Sequence, residues 1–172
     1  MTKDGLLEGK KILVVDDEAD VLQVLEELLP MCRLSKAASF EQARDLLESE
    51  PFDLAVLDIM GVDGYKLLEI ANSKGVPAVM LTAHAFTPDN IVRSIKEGAV
   101  SYVPKDEMAH IADFLADVLE AGRLNENPWD RWQKRLPSSY FEQKFGAAWK
   151  DADKDFWDTF KAGLRARSRS DN

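Results

Sequence analysis

The chain has a single cysteine, Cys32, so it can form no internal disulfide, and nothing in it marks a disulfide-stapled secreted fold. No apolar run is long enough to span a bilayer, and no apolar signal segment follows Met1. These absences predict a reducing, cytoplasmic setting with no membrane partner. Basic charge is scarce in the first part: residues 1–122 carry 11 Lys and Arg against 23 Asp and Glu, while residues 123–172 carry 11 against 8. Nucleic-acid contact depends on neutralising phosphates, so the acidic body argues against a nucleic-acid partner. Tryptophan is missing before residue 129; all four, with nine of the fifteen aromatic residues, follow Gly122.

The remaining sequence has ample material for a core, with 45% hydrophobic residues. The run Leu54-Ala55-Val56-Leu57 enters Asp58 and reads as a strand buried on both faces, with the carboxylate where it leaves the core. Three other runs repeat the pattern. Lys11 to Val15 enters Asp16, Asp17 and Glu18; Pro77 to Leu81 enters Thr82; Val100 to Val103 passes Pro104 into Lys105. Ligand sites in open α/β sheets form beyond the carboxyl ends of the strands, so these polar groups should converge.

Helices are predicted over Ala19–Leu29, from Phe40 to about Glu48, over Tyr65–Ser73, after a Thr87 cap with Pro88 at its first position, and over Met108–Ala121. Leu34 to Ala38 reads as a weak second strand, and residues 1–9 as a polar leader. Strand and helix alternate five times, the signature of a doubly wound α/β domain over residues 10–122. Residues 123–172 form a helical extension: Asn127-Pro128 caps a helix with Trp129, Trp132 and Leu136 on one face, and Ser139 with Glu142 suggests a capping box. A last helix from about Ala147 spaces Trp149, Ala152, Phe156, Phe160 and Leu164 by three or four, before an arginine-rich end.

Three carboxylates in one place repel unless a cation joins them, and Mg²⁺ is the expected cofactor, held by Asp16, Asp17, Asp58 and the Met60 backbone carbonyl. With Lys105 to offset phosphoryl charge and Thr82 to donate a hydrogen bond, Asp58 could attack in line and become an aspartyl phosphate. Asp16 or Asp17 alone could equally cap a helix, Tyr102 alone would be sheet packing, and Cys32 a buried or half-buried spectator. His84 reads as a loop residue at the pocket rim and His110 as a solvated helix start. Asp16, Asp17, Asp58, Thr82 and Lys105 together favour the site.

With Ala83 and Tyr102, in this order and near strand ends, these residues resemble the receiver domain of bacterial two-component response regulators, across roughly Lys10 to Ala121. The resemblance implies a flavodoxin-like five-stranded parallel sheet in the order 2-1-3-4-5. It also implies phosphorylation of Asp58 by a histidine kinase or phosphotransfer protein, Thr82 and Tyr102 as a switch pair, and output through the face of the fourth helix, fifth strand and fifth helix. The chain departs from the pattern twice. Asp58 reaches Gly64 in six steps without proline, and Pro104-Lys105-Asp106 replaces the usual Lys-Pro pair, so the family's cis bond is not implied.

The expectation is a signalling switch with protein–protein output, not a metabolic enzyme, that slowly hydrolyses its own phosphoryl group. Its aromatic extension should be covered by its own body, a twin subunit in a homodimer, or an output protein. A phosphate-independent docking module is the alternative. A DNA-binding regulator fits an aromatic, aspartate-containing extension poorly, and a magnesium-dependent phosphatase would want an acid where Met60 stands.

Overall fold

The computed structural model describes residues 2–83 and 86–160. Five parallel strands, β1 (Lys11–Val15), β2 (Arg33–Ala37), β3 (Leu54–Asp58), β4 (Ala78–Thr82) and β5 (Ser101–Pro104), form one sheet in the order β2-β1-β3-β4-β5. The three inner strands and β5 are buried along almost their whole length, as apolar runs covered by helices on both faces must be. The edge strand β2 is largely exposed and carries the cations Arg33 and Lys36, which discourages pairing with another chain.

Helices α2 (Ala19–Leu28), α3 (Phe40–Ser49), α4 (Gly64–Ser73), α5 (Pro88–Lys96) and α6 (Ile111–Leu124) connect and follow these strands. Their starts agree with the caps read from sequence. Ser39 Oγ accepts from the Gln42 backbone N–H while Gln42 Oε1 accepts from that of Ala38, and Thr87 Oγ1 accepts from the Asn90 N–H. Asp63 and Gly75 flank α4 with positive φ of 54° and 72°, which end the preceding turn and the helix itself.

Several boundaries differ from expectation. The polar leader contains a helix, α1 (Lys3–Leu7), whose Leu6 and Leu7 are buried in the core and which packs on α6. Beyond Met1, only the adjacent Leu6 and Leu7 are apolar in residues 1–9, too little periodicity to predict it; the covering helix supplies the reason to fold. Lys105–His110 is a 3-10 helix, so α6 begins at Ile111 and runs past Gly122 until Asn125 adopts φ 56°. No neighbour crowds Gly122, and the left-handed Asn125 is the effective stop.

The extension folds back on the body. Helix α7 (Pro128–Arg135) starts at an Asn127 cap and packs on α6 and β5. Helix α8 (Ser138–Phe145) starts after Pro137 with no side-chain cap, so the Ser139–Glu142 box is not formed. After Gly146 the chain turns through a 3-10 stretch, Asp151–Asp153, and a helical stretch over 154–160 follows, later than the expected Ala147 start. The tight turn lets Trp149 meet both Phe141 and Trp157, each at 5.1 Å between ring centroids. Leu164 and the arginine-rich end lie outside the described residues, as does His84. No helix among the described residues is long and apolar enough to cross a membrane.

Candidate functional site

Sheet register brings the polar strand ends together. Val15 pairs with Leu57, so Asp16 follows beside Asp58; Asp58 pairs with Leu81 and Thr82 with Pro104, so Thr82 and Lys105 come next in line. Asp17, Glu18, Asp58, Met60, Gly61, Thr82, Ala83 and Lys105 line one cleft of about 110 Å³. Two larger clefts among the described residues, one beside α2 and Lys36 and one between α1, α6 and α7, do not include these strand-end residues.

Asp16, Asp58 and Thr82 are buried, while Asp17 and Glu18 are exposed at the rim. Lys105 Nζ lies 2.9 Å from Asp16 Oδ2 and 3.8 Å from Asp58 Oδ1, so one ammonium offsets two carboxylates. Desolvation works against that ammonium, but its pairing with Asp16 and the charge of Asp58 outweigh the penalty and hold its pKa above the ordinary value. For Asp58 the balance runs the other way: burial and the neighbouring Asp16 charge push its carboxyl up to about 7, against the pull of Lys105 and the Met60 backbone N–H. Carboxylates perturbed by burial and a like charge cluster at functional sites.

The donor set suits a hard divalent cation. Oxygens of Asp16, Asp17 and Glu18 lie within 4.8 Å of one another. Asp16 Oδ2 is buried, with the Lys105 ammonium 2.9 Å away as its counter-charge. Glu18 is the member that sequence reasoning saw but left without a role; its adjacency to Asp16-Asp17 was the available signal. Asp58 belongs to the cleft but not to this trio, being joined to Asp16 through Lys105.

The short loop after Asp58 works because of two glycines. A Cβ on Gly64 would fall 2.2 Å from the Asp58 backbone oxygen, so only glycine lets α4 start this close to the strand end. Gly61, at φ 87°, lies against Asp17, whose carboxylate oxygen would be 2.5 Å from an added Cβ. The loop thereby closes on the rim in the six steps from Asp58 to Gly64, without a proline. The described residues contain no cis peptide bond.

Tyr102 is fully buried, and burial raises the pKa of its phenol well above the ordinary value. Its ring lies 6.0 Å from that of Phe86, and its backbone oxygen accepts a 2.7 Å hydrogen bond from Trp132 Nε1. The extension therefore covers the face of α5, β5 and α6, and its contacts begin one residue from Lys105: Asp106 receives Tyr140 OH at 2.9 Å and Lys144 Nζ at 2.7 Å. Sequence reasoning placed no role on Phe86, Asp106, Tyr140 or Lys144, because nothing local pairs residues more than thirty apart. Cys32 is half-buried, its thiol pushed up to about 11 by burial, and His110 is exposed, as read.

Comparisons with known proteins agree with this fold. Residues 12–115 match the family model described as "Response regulator receiver domain". The chain is 37% identical over 103 residues to the two-component response regulator ARR18 of Arabidopsis thaliana, covering 56% of this chain and 16% of that protein. It is 34% identical over 132 residues to the probable transcriptional regulator ycf27 of Porphyridium aerugineum, covering 71% and 55%. The match thus spans well under two thirds of these relatives' lengths. Among solved structures, a CheY-like response regulator receiver domain protein from Methanospirillum hungatei superposes with a TM-score of 0.57 at 27% identity, covering 67% of this chain and 99% of that one.

Proposed function

The chain belongs to the response regulator receiver family of two-component signalling, and we propose that it is a phosphorylation-dependent switch in which Asp58 is the phosphoacceptor. The observation that carries this reading is the convergence of Asp58, Thr82 and Lys105 with the acidic trio in one cleft. An ionised Asp58 oxygen attacks the phosphorus of a phosphohistidine donor; the new P–O bond forms as the donor's P–N bond breaks, and the imidazole leaves with the electron pair. Mg²⁺ bound there supplies charge neutralisation for the phosphoryl oxygens. Asp16, Asp17 and Glu18 would hold it, with Asp58 and the Met60 backbone carbonyl as further oxygen donors. Lys105 turns from Asp16 toward the phosphoryl oxygens, and Thr82 donates a hydrogen bond to one of them. A water attacking the same phosphorus returns Asp58 slowly to its carboxylate, so the chain is a substrate of its kinase and not a metabolic enzyme.

We infer that the output is contact with another protein in the cytoplasm, because the aromatic residues of the extension's described part are occupied in packing on the body. Salt-dependent binding to duplex DNA would sink that part. The central experiment is the intact mass after incubation with acetyl phosphate and Mg²⁺. One phosphoryl group should appear on the wild type and be absent from Asp58→Asn and from samples without metal. A wild type that stays unmodified by acetyl phosphate and by a panel of phosphorylated kinases would instead favour a phosphate-independent docking module.

A further inference from the structure

Lys105 stands just beyond an edge strand. β5 closes the sheet, so one row of its backbone groups has no neighbouring strand. Two indoles of α7 stand in for that strand: Trp129 Nε1 donates to the Ala99 oxygen at 3.2 Å and Trp132 Nε1 to the Tyr102 oxygen at 2.7 Å. The strand then ends in Pro104, which has no N–H to donate, and Lys105 opens a 3-10 helix whose start no side chain caps. The next fixed point is Asp106. Its Oδ1 accepts from Tyr140 OH at 2.9 Å and its Oδ2 from Lys144 Nζ at 2.7 Å. Tyr140 and Lys144 are four residues apart, so they share one face of α8, and the Lys144 ammonium also lies 5.7 Å from the centre of the Tyr140 ring. Desolvation pushes the Asp106 carboxyl up, but these two partners outweigh that and keep it below the usual range. The helix that carries them is itself seated: the Phe141 ring lies 5.5 Å from that of Trp132, and the Phe145 ring 5.0 Å from that of Phe86.

We propose that Tyr140 and Lys144 are positioning residues for Lys105: α8 clamps Asp106 and so fixes the backbone from which the Lys105 ammonium works in the cleft. The inference rests on the phosphoacceptor reading of Asp58. Lysine carries a point charge on a flexible four-carbon stem, so its placement depends on where its backbone is held. Consecutive Cα atoms stay about 3.8 Å apart, and Lys105 sits between a Tyr102 tied to Trp132 and an Asp106 tied to α8. Its Nζ then stands 2.9 Å from Asp16 and 3.8 Å from Asp58, beside the oxygens where phosphoryl charge would gather. Displacing such a group by about 1 Å costs on the order of a hundredfold in rate. The clamp lies near the surface, where each contact is weak, and this limits the loss on its removal to well below that figure. The extension thus serves the reaction as a splint on β5 while supplying none of the residues that line the cleft.

The test uses the full chain with acetyl phosphate and Mg²⁺, reading the initial rate at which one phosphoryl group is gained by intact mass. In Tyr140→Phe combined with Lys144→Gln, which leaves the rings of α8 in place, the rate should fall about three- to tenfold, as much as two solvated contacts can supply. Non-additivity separates positioning from packing. Asp106→Ala should slow the reaction to a similar extent, and adding the two α8 substitutions to it should slow it no further. In a Lys105→Ala chain the same two substitutions should leave the residual rate unchanged, since no ammonium remains to be placed. An equal fold loss in the Lys105→Ala chain would overturn the proposal, by showing that α8 acts on the cleft by another route. A double variant that reacts as fast as the wild type, or faster, would overturn it and leave the acceptor reading standing. A wild type that gains no phosphoryl group would overturn the acceptor reading and this inference with it.

Discussion

Asp58 and Asp106 are the same side chain in two settings. Burial and the neighbouring Asp16 push the first up to about 7, whereas Lys144 and Tyr140 hold the second below the usual carboxylate range in spite of partial desolvation. The contrast extends to the regions around them. The cleft at the strand ends gathers like charges on a single lysine, an arrangement that weakens the fold. The surface under the extension gathers indoles with their N–H groups on backbone oxygens, rings in edge-on contact, and carboxylates facing cations, each of which strengthens it. Local energetic cost at a site and local gain at an interface are what distinguish a place where chemistry happens from a place that holds the chain together.

That contrast can be broken by measurement. The largest effect is expected at Trp132→Ala, which removes a side chain only 3% exposed and its hydrogen bond to Tyr102: a loss of about 3–5 kcal/mol in urea unfolding. A loss below about 1 kcal/mol would mean that the extension is loosely laid on, not packed.

In the cleft the sign should reverse. Asp58→Asn should stabilise the metal-free chain, because the folded state retains a proton that the unfolded carboxyl, at its ordinary value of 3.8, has released. The strain is absent below about pH 4 and grows as pH rises through about 7, so the gain should approach an upper bound of about 4 kcal/mol above pH 7 and shrink toward pH 4. Added Mg²⁺ should narrow the difference between the two proteins at pH 8, read as melting temperature.

Gly64→Ala should cost at least about 2 kcal/mol, since a Cβ there meets backbone and not a movable side chain. The smallest effect belongs to Lys144→Gln. Both it and Asp106 are largely solvated, so the stability change should stay under about 1 kcal/mol and fade with added salt.

Much of this molecule was legible before the structure. Apolar runs that stop at Asp16, Asp58, Thr82 and Lys105 announce buried parallel strands, and chain connectivity alone then delivers those residues to one edge of the sheet. Caps at Ser39, Thr87 and Asn127 are local hydrogen bonds between residues two to four apart, which is why reading them from spacing succeeds. The α1 helix was missed because Leu6 and Leu7 gain their burial from α6, more than a hundred residues later. The Ser139 cap failed because Pro137 and packing against Phe86 set the start of α8.

By itself, then, the sequence determined the strand–helix alternation, the acidic and cationic groups at the strand ends, and the presence of an aromatic surface that had to be covered. Each of these depends on residue type and short-range periodicity, which the chain carries wherever it is. Only the tertiary structure decided that Lys105 reaches Asp16 more closely than Asp58, that Glu18 completes the acidic trio, and that the extension lies on its own α5–β5–α6 face with Phe86 and Asp106 in its grip. Those are contacts between distant segments, chosen by which surfaces remain uncovered once the sheet has formed, and no local pattern encodes that choice.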